Sequence, residues 1–307
     1  HANIDYTNEE NLIPGRGYMA AIDQDSYLSN TGTLNNGDVT IKLTANAPAD
    51  DASNGFFTYD KGSNLIGNPY QAYLDLDAVA FGTSKGGTGY TKFYIYDAEQ
   101  GFYVPYTVTQ SKNTATPSRY IHPHQAFFVV TDSEANFTFT YDMATASTDE
   151  GSYFRGDNRI NYPLVNLFVE NERGNRDLAI IEFNRPAIGG AEKINNLRNS
   201  NFKIAAYLDG KNYGLLFAPE GTQRVPVHFK TNEESTYTLT WETMHGDFTS
   251  LILVDNLTGT RCDMLRNDHY TFNGSVDDYA ARFYITFNVT GVFLITFGII
   301  FVFGFTA

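Results

Sequence analysis

The sequence contains a single cysteine, Cys262, in 307 residues. One thiol excludes an internal disulfide and a metal cluster held by several cysteines. A lone cysteine is most often a small buried or half-buried side chain. An exported protein without disulfides is typical of bacteria, whereas small secreted eukaryotic domains commonly depend on them.

Basic residues are also scarce. The chain has 21 Lys and Arg against 35 Asp and Glu, which gives a formal net charge of −14. Binding to nucleic acid or anionic lipid through a basic face is therefore not expected, because phosphate recognition requires clustered cations. The acidic balance instead suits solubility outside a cell.

Long segments of helical period are missing, and the plentiful residue types are strand formers. Tyr and Phe number 21 and 24, and Thr, Val and Ile are common. Segments of alternating polarity, such as 39–44 and 137–141, recur between turn signals. This pattern predicts an all-β fold of two tandem antiparallel β-sandwiches, jelly-roll-like, with short helices only.

The length favours two domains, each able to bury a core of its own. Composition shifts to Ala, Ser, Thr, Asp, Glu and Gly over 143–157, as is typical of a linker. We therefore predict a first sandwich over residues 1–150, a second over 151–288 and a hydrophobic C-terminal tail over 289–307. The uncharged tail fits three interpretations: strands buried in the second domain or against a partner, a membrane anchor, or a segment foreign to the native gene.

Local signals place several elements. The dipeptide Asp209-Gly210 lies between two apolar segments and predicts a tight hairpin, because both positions tolerate positive φ. Residues 97–101 predict a second hairpin with its glycine at the end of the loop. Short helices are predicted near 74–81 and 191–196.

One loop is a candidate calcium site, because hard cations bind shells of oxygen ligands. The oxygen-bearing side chains around its glycine, Gly174, are Glu170, Glu172, Asn175 and Asp177. The spacing is not that of an EF-hand, and Arg173 and Arg176 in the same loop oppose a cation. No other cofactor is expected.

Aromatic side chains are candidates for a ligand surface, since an aromatic ring offers an apolar face with a polar tip. We single out Trp241, Tyr90 and Tyr103 as a surface on which a sugar could stack. The alternative is that the tyrosines are strand and rim residues.

Catalytic chemistry has little support in the sequence. His122 with His124 and Asp75 with Asp77 form pairs two residues apart, but a turn and a helix start explain them. His245, Asp247 and Asp255 lack a serine in a nucleophile-elbow context. The chain is therefore not expected to be an enzyme.

A set of short sequence motifs, in this order along the chain, resembles β-rich modules of large Bacteroidetes surface proteins. The motifs are PGRGY at 14–18, NLIGNPY at 64–70, YIYD at 94–97, PHQAFFV at 123–129 and LILVDNLTGT at 251–260. The resemblance implies export to the cell surface, typically by type IX secretion, in adhesin-like or uncharacterised proteins. Members of this family commonly have Gly where this chain has His124, and they continue into a β sorting domain where this chain has the hydrophobic tail.

These observations lead to a functional expectation. The protein is predicted to be a non-enzymatic secreted or cell-surface structural or adhesion module, extracellular or on the outer surface of a bacterium. The alternative is a carbohydrate-binding or accessory module of a larger secreted enzyme. The expected partners are a glycan or surface protein, or a neighbouring chain or domain joined through edge strands or the tail. Membrane association is expected only through 289–307.

Overall fold

The computed structural model describes residues 12–18, 32–45, 62–82, 85–113, 115–116, 118–146, 148, 160–195 and 201–290. Strands make up 53% of it, and within these residues there is one short α-helix, α1, at Leu76–Phe81. A 3₁₀ turn covers Tyr141–Met143. The predicted all-β class is confirmed. In the described part, no helix is both long enough and apolar enough to cross a membrane.

The N-terminal half, residues 12–148, forms three small sheets. Their strand orders are β2-β7-β4-β5, β6-β3-β9 and β1-β8. The strands are β1 Val39–Leu43, β2 Ser63–Gly67, β3 Tyr73–Asp75, β4 Lys92–Asp97, β5 Phe102–Thr107, β6 Tyr120–Ile121, β7 Ala126–Val130, β8 Ala135–Phe139 and β9 Ala144–Thr145. Alternating apolar residues of these strands and of α1 fill one core between the sheets.

The C-terminal half, residues 160–290, forms one sheet of eleven strands. The strands are β10 Leu164–Asn171, β11 Arg176–Arg185, β12 Gly189–Glu192, β13 Phe202–Leu208, β14 Lys211–Pro219, β15 Arg224–Thr231, β16 Ser235–Met244, β17 Asp247–Asp255, β18 Arg261–Asp263, β19 His269–Gly274 and β20 Phe283–Thr290. Their order is β18-β17-β20-β15-β13-β14-β11-β10-β16-β19, and β12 pairs with β14 off this path.

This large sheet is nearly closed and barrel-like, so the chain does not divide clearly into two sandwiches as predicted. Its end strands, β18 and β19, follow each other in the sequence and lie on either side of an open seam. One pair, β11 with β14, is parallel, which departs from the expected purely antiparallel arrangement. Closure is favoured because the apolar faces of ten strands can then be buried against each other in a single core.

The two halves share a third apolar cluster. Strands β4 and β5 contribute Tyr94, Phe102, Tyr103 and Val104, and the large sheet contributes residues of its outer face that include Phe168, Leu178, Ile180 and Leu215. Every residue of β5 is buried, because Phe102, Tyr103 and Val104 pack in the shared cluster and Tyr106 packs in the N-terminal core. The boundary predicted at residues 150 and 151 lies outside the described residues, and the division into domains stays a prediction.

Several local predictions can be compared with the structure. Strands β13 and β14 form the predicted hairpin, with Asp209 and Gly210 at φ of 48° and 76°. Strands β4 and β5 form the second hairpin. The first predicted helix is present as α1, whereas the helix near 191–196 is wrong: Gly189–Glu192 is a strand, because its backbone pairs with β14. Residues 291–307 of the tail lie outside the described residues, while β20 itself continues to Thr290.

Candidate functional site

The predicted calcium ligands lie around the turn between β10 and β11. Glu170 pairs with Arg176 across the ladder, and its carboxylate lies 3.3 Å from the Arg176 Nε. Asp177, the next residue, is on the opposite face and is buried. Its carboxylate lies 2.6 Å from the Lys193 Nζ and accepts a hydrogen bond from the Ile204 N–H at 2.9 Å. The two carboxylates therefore do not converge on one point.

An asparagine missed by the sequence analysis organises the same turn. The Asn171 Oδ1 accepts hydrogen bonds from the backbone N–H groups of Arg173 at 3.1 Å and Asn175 at 3.0 Å. Glu172 lies exposed on the turn. Within the described residues, no group of three or more His, Cys, Asp or Glu side chains is arranged to hold a metal ion. The calcium site stays an untested candidate, and the pairing of Glu170 with Arg176 and of Asp177 with Lys193 counts against it.

The three aromatic residues predicted for a ligand surface lie in three different places. Trp241 is half-buried and donates from its indole N–H to the Met264 carbonyl at 2.8 Å. Tyr90 packs on Phe137 in the N-terminal core, with ring centroids 5.4 Å apart. Tyr103 is buried in the cluster between the halves, with 8% of its surface exposed. They do not form a common surface in the structure.

The paired polar residues found in the sequence have structural roles. Asp75 is the N-cap of α1 and accepts a hydrogen bond from the Asp77 N–H at 3.0 Å. Both carboxylates also lie near the Arg119 guanidinium, at 3.5 and 3.4 Å. His124 has a φ of 64° in the turn before β7. This left-handed conformation favours glycine.

A buried ion pair closes the seam of the barrel-like sheet. The Arg282 Nη2 donates to the Asp255 Oδ2 at 2.9 Å, and Arg282 Nη1 donates to the Asn273 carbonyl on β19 at 2.7 Å. The Tyr270 hydroxyl also donates to Asp255, at 3.0 Å. Burial alone would raise the pKa of Asp255, but the hydrogen bonds from Arg282, Leu257 and Tyr270 and the charge of Arg282 together outweigh burial and lower it. Asp247 and Asp255 lie at opposite ends of β17.

A second buried pair connects the two halves. The Glu182 Oε1 accepts a hydrogen bond from the Ser111 N–H at 2.8 Å, and its Oε2 lies 3.1 Å from the Arg185 Nη1. Arg185 also donates to the Thr109 carbonyl at 3.1 Å. Burial raises the pKa of Glu182 to about 7, although Ser111 and Arg185 favour the ionised form. This pair joins β11 to the loop after β5.

The outer face of the large sheet has three sectors. On β10 and β11 it is apolar and covered by the N-terminal half. On β16 and β19 it is polar, with the hydroxyls of Thr238 and Thr271 3.2 Å apart. On β13, β15 and β20 it carries a group that we call the outer strip: Tyr207, Arg224, Pro226, His228 and Tyr284.

The outer strip follows from strand alternation. Along β15, Val225, Val227 and Phe229 are fully buried in the core, so Arg224, Pro226 and His228 lie on the outer face. This alternation is visible in the sequence and could have indicated the surface. The aromatic members on β13 and β20 could not be found in that way, because the strand order was unknown.

Two stacked pairs hold the side chains of the outer strip. The Tyr207 and His228 rings lie 4.1 Å apart at an angle of 18°. The Arg224 guanidinium lies 3.5 Å from the centre of the Tyr284 ring. Burial lowers the pKa of His228, which keeps the imidazole neutral at pH 7. The outer strip therefore combines an arginine with aromatic and proline surface on a chain of net charge −14.

Comparison with known proteins adds one finding. The family model of a domain of unknown function, DUF8693, matches residues 1–287. The chain therefore belongs to the DUF8693 family. No curated protein and no solved structure matches the chain significantly.

Proposed function

We propose that this member of the DUF8693 family is a non-enzymatic secreted or cell-surface module with a structural or adhesive role. The observation that carries the proposal is how the buried acidic side chains are bonded. In the described part of the chain, each buried acid is held by a cation and by further hydrogen bonds that fix strands or loops, so these carboxylates contribute to holding the fold together. The pairs are Asp177 with Lys193, Glu182 with Arg185 and Asp255 with Arg282.

The packing of the two halves supports a role as a scaffold. The shared cluster buries large apolar side chains, among them Phe102 and Phe168. The Tyr94 hydroxyl adds a hydrogen bond to the Glu192 carbonyl at 2.8 Å. A body fixed by apolar and polar contacts can present its outer faces in a constant geometry, which reduces the entropy lost on binding.

The location is proposed from composition and resemblance. The net charge of −14 and the single cysteine suit an exported bacterial protein. The motifs shared with Bacteroidetes surface modules support export by type IX secretion and display on the outer surface. The proposed partners are a glycan or surface protein, or a neighbouring chain or domain joined through an edge strand or through 289–307.

The outer strip favours the second candidate, a carbohydrate-binding or accessory module of a larger secreted enzyme. Aromatic and proline surface next to hydrogen-bonding groups is the chemistry that sugar recognition requires. Both candidate functions require a surface that binds a ligand. They differ in whether the module is attached to a catalytic domain.

The proposal is tested by a binding screen with the full chain. We expect binding to a glycan or a host surface protein on arrays of both, and surface labelling of intact cells that carry the natural gene. Turnover of a glycan or peptide in the same samples would contradict the non-enzymatic role. If the protein binds nothing on either array, that result would contradict the adhesive role.

A further inference from the structure

The outer strip is part of a cross-strand row that places a second arginine beside it. Pro226 on β15 pairs with Tyr284 on β20, which pairs with Val254 on β17, which pairs with Arg261 on β18. Neighbouring strands are about 4.8 Å apart, so these side chains follow each other across the sheet. The row has the exposed Arg261 at its β18 end and the stacked Arg224 near its β15 end, while Val254 between them is buried.

Both arginines are available for a ligand. Arg224 and Arg261 are exposed, and neither forms an ion pair with another residue in the part of the chain that the structure describes. Most other described arginines, such as Arg282, Arg185 and Arg119, have a carboxylate within 4 Å. Arg224, which has no carboxylate partner on a protein with 35 acidic residues, forms a local site for an anion. Arg261 lies three strands away on the same face, roughly 14 Å across the sheet. Asp263, two residues from Arg261 on β18, is paired with Arg266.

The stacking of Arg224 determines how it can bind that anion. A guanidinium that lies flat on an aromatic ring keeps the N–H groups at its edge directed outward. Two parallel N–H groups match the two oxygens of a carboxylate. Because the ring already restricts the side chain, less conformational entropy is lost on binding.

The neighbours of the arginines select the rest of the ligand. Tyr207, Pro226, His228 and Tyr284 offer ring and pyrrolidine surface, which packs against C–H groups. A sugar ring presents such C–H groups together with hydroxyls. A sugar that also bears a carboxylate can contact both the arginine and the apolar surface, whereas a bare phosphate can contact only the arginine.

We propose that the outer strip, extended by Arg261, binds an acidic glycan of the uronic acid type, with Arg224 on the carboxylate and the aromatic residues on the sugar ring. The inference rests on the proposed function in one respect, that the protein acts by binding at its surface. The net charge of −14 does not prevent it, because the Debye length is about 8 Å at physiological salt and distant acids are screened.

The test compares matched sugars on the full-length protein. One oligosaccharide carries uronic acids, and its partner has the same chain with each carboxylate reduced to an alcohol. We expect preference for the acidic sugar. Arg224→Gln should weaken binding of the acidic sugar about 10- to 100-fold, the usual loss for a charged hydrogen-bonding partner, and should leave binding of the neutral sugar nearly unchanged.

Two further variants separate the parts of the surface. Tyr284→Leu should weaken both sugars, because it removes the ring on which Arg224 stacks and the sugar packs. Arg173→Gln is the charge-matched control, since Arg173 is 71% exposed on the turn between β10 and β11. It should bind like the natural protein. Thermal unfolding of each variant confirms that the fold is retained.

Several outcomes would overturn the inference. They are equal binding of the acidic and reduced sugars, equal effects of Arg224→Gln and Arg173→Gln, and binding of poly-glutamate as strong as that of the acidic sugar. Binding of no glycan would also overturn it. In that case, binding of a surface protein in the same screen would leave the proposed adhesive function intact, whereas absence of both would remove that function as well.

Discussion

The guanidinium of Arg282 and the carboxylate of Asp255 form a buried ion pair at 2.9 Å, with 2% and 0% of their side chains exposed. Arg282 also bonds to the Asp278 carboxylate at 2.7 Å and to β19. Strands β18 and β19 do not pair with each other through backbone hydrogen bonds. The two ends of the sheet are instead connected by side chains. The pair therefore connects β17 to the opposite end of the sheet.

We expect Arg282→Met to lower the free energy of unfolding by about 3–5 kcal/mol, because it leaves the Asp255 carboxylate buried without its cation. Urea denaturation measures this loss. The control is Arg266→Gln, which removes an exposed pair with Asp263 and should cost less than about 1 kcal/mol. Equal losses for the two variants would show that the seam pair does not stabilise closure.

Glu182 should make stability depend on pH. Its pKa is about 7 in the folded protein and 4.5 as a free side chain, because burial disfavours the charge. Between these pH values the folded state binds more protons than the unfolded state, so stability falls as pH rises. The stabilisation is fully present below pH 4.5 and is lost through pH 7, by an amount on the order of 3 kcal/mol.

The measurement compares the natural protein with Glu182→Gln in urea at a series of pH values. The difference in unfolding free energy, natural protein minus variant, should fall as pH rises from about 4.5 to about 7. Taking the difference removes the contribution of the other acids. A difference that stays constant or rises would mean that Glu182 titrates at or below its ordinary pKa.

The secondary structure could largely be predicted from the sequence, because its signals are local. Alternating polarity marks β1 and β8, and Asp209-Gly210 specifies the β13–β14 hairpin through positive φ. The barrel-like closure could not be predicted. It depends on pairings between distant strands, such as β10 with β16 and β17 with β20, and the period-two pattern is the same for a sandwich and a barrel.

The candidate site shows the same limit. Oxygen-bearing residues near Gly174 suggested a cation site. However, β-pairing directs Glu170 and Asp177 to opposite faces of the sheet. Lys193, which follows β12, forms an ion pair with Asp177. The outer strip went unnoticed because its residues meet only after β13, β15 and β20 are aligned. Residue type indicated chemistry in both cases, and strand order determined whether the side chains meet.

The calcium prediction has a direct test. If the turn between β10 and β11 does not bind calcium, millimolar calcium and a chelator should give the same melting temperature, because only binding to the folded state stabilises it. We expect this result, since Glu170 and Asp177 already pair with Arg176 and Lys193. A rise in melting temperature that disappears in Glu172→Gln would instead support a calcium site at this turn.

Gly190 lets β12 approach β14 closely, so Ala191 and Glu192 belong to a strand and not to the predicted helix. Its φ is +106°, and a Cβ at this position would lie 1.9 Å from the Leu215 carbonyl oxygen of β14. Gly221 has a φ of +84° with nothing within 4 Å of its Cβ position. Alanine at either site incurs the strain of positive φ, about 1–2 kcal/mol, but only Gly190→Ala also forces β12 away from β14.

We therefore expect Gly190→Ala to lower the free energy of unfolding by more than about 3 kcal/mol and Gly221→Ala by only about 1–2 kcal/mol. Urea denaturation of the two variants gives the comparison. Amide hydrogen exchange at Leu215 and Phe217 should increase in Gly190→Ala alone, because their backbones pair with β12. If both variants lose the same stability and exchange remains slow, backbone strain is the whole effect and the close approach of β12 to β14 is not required.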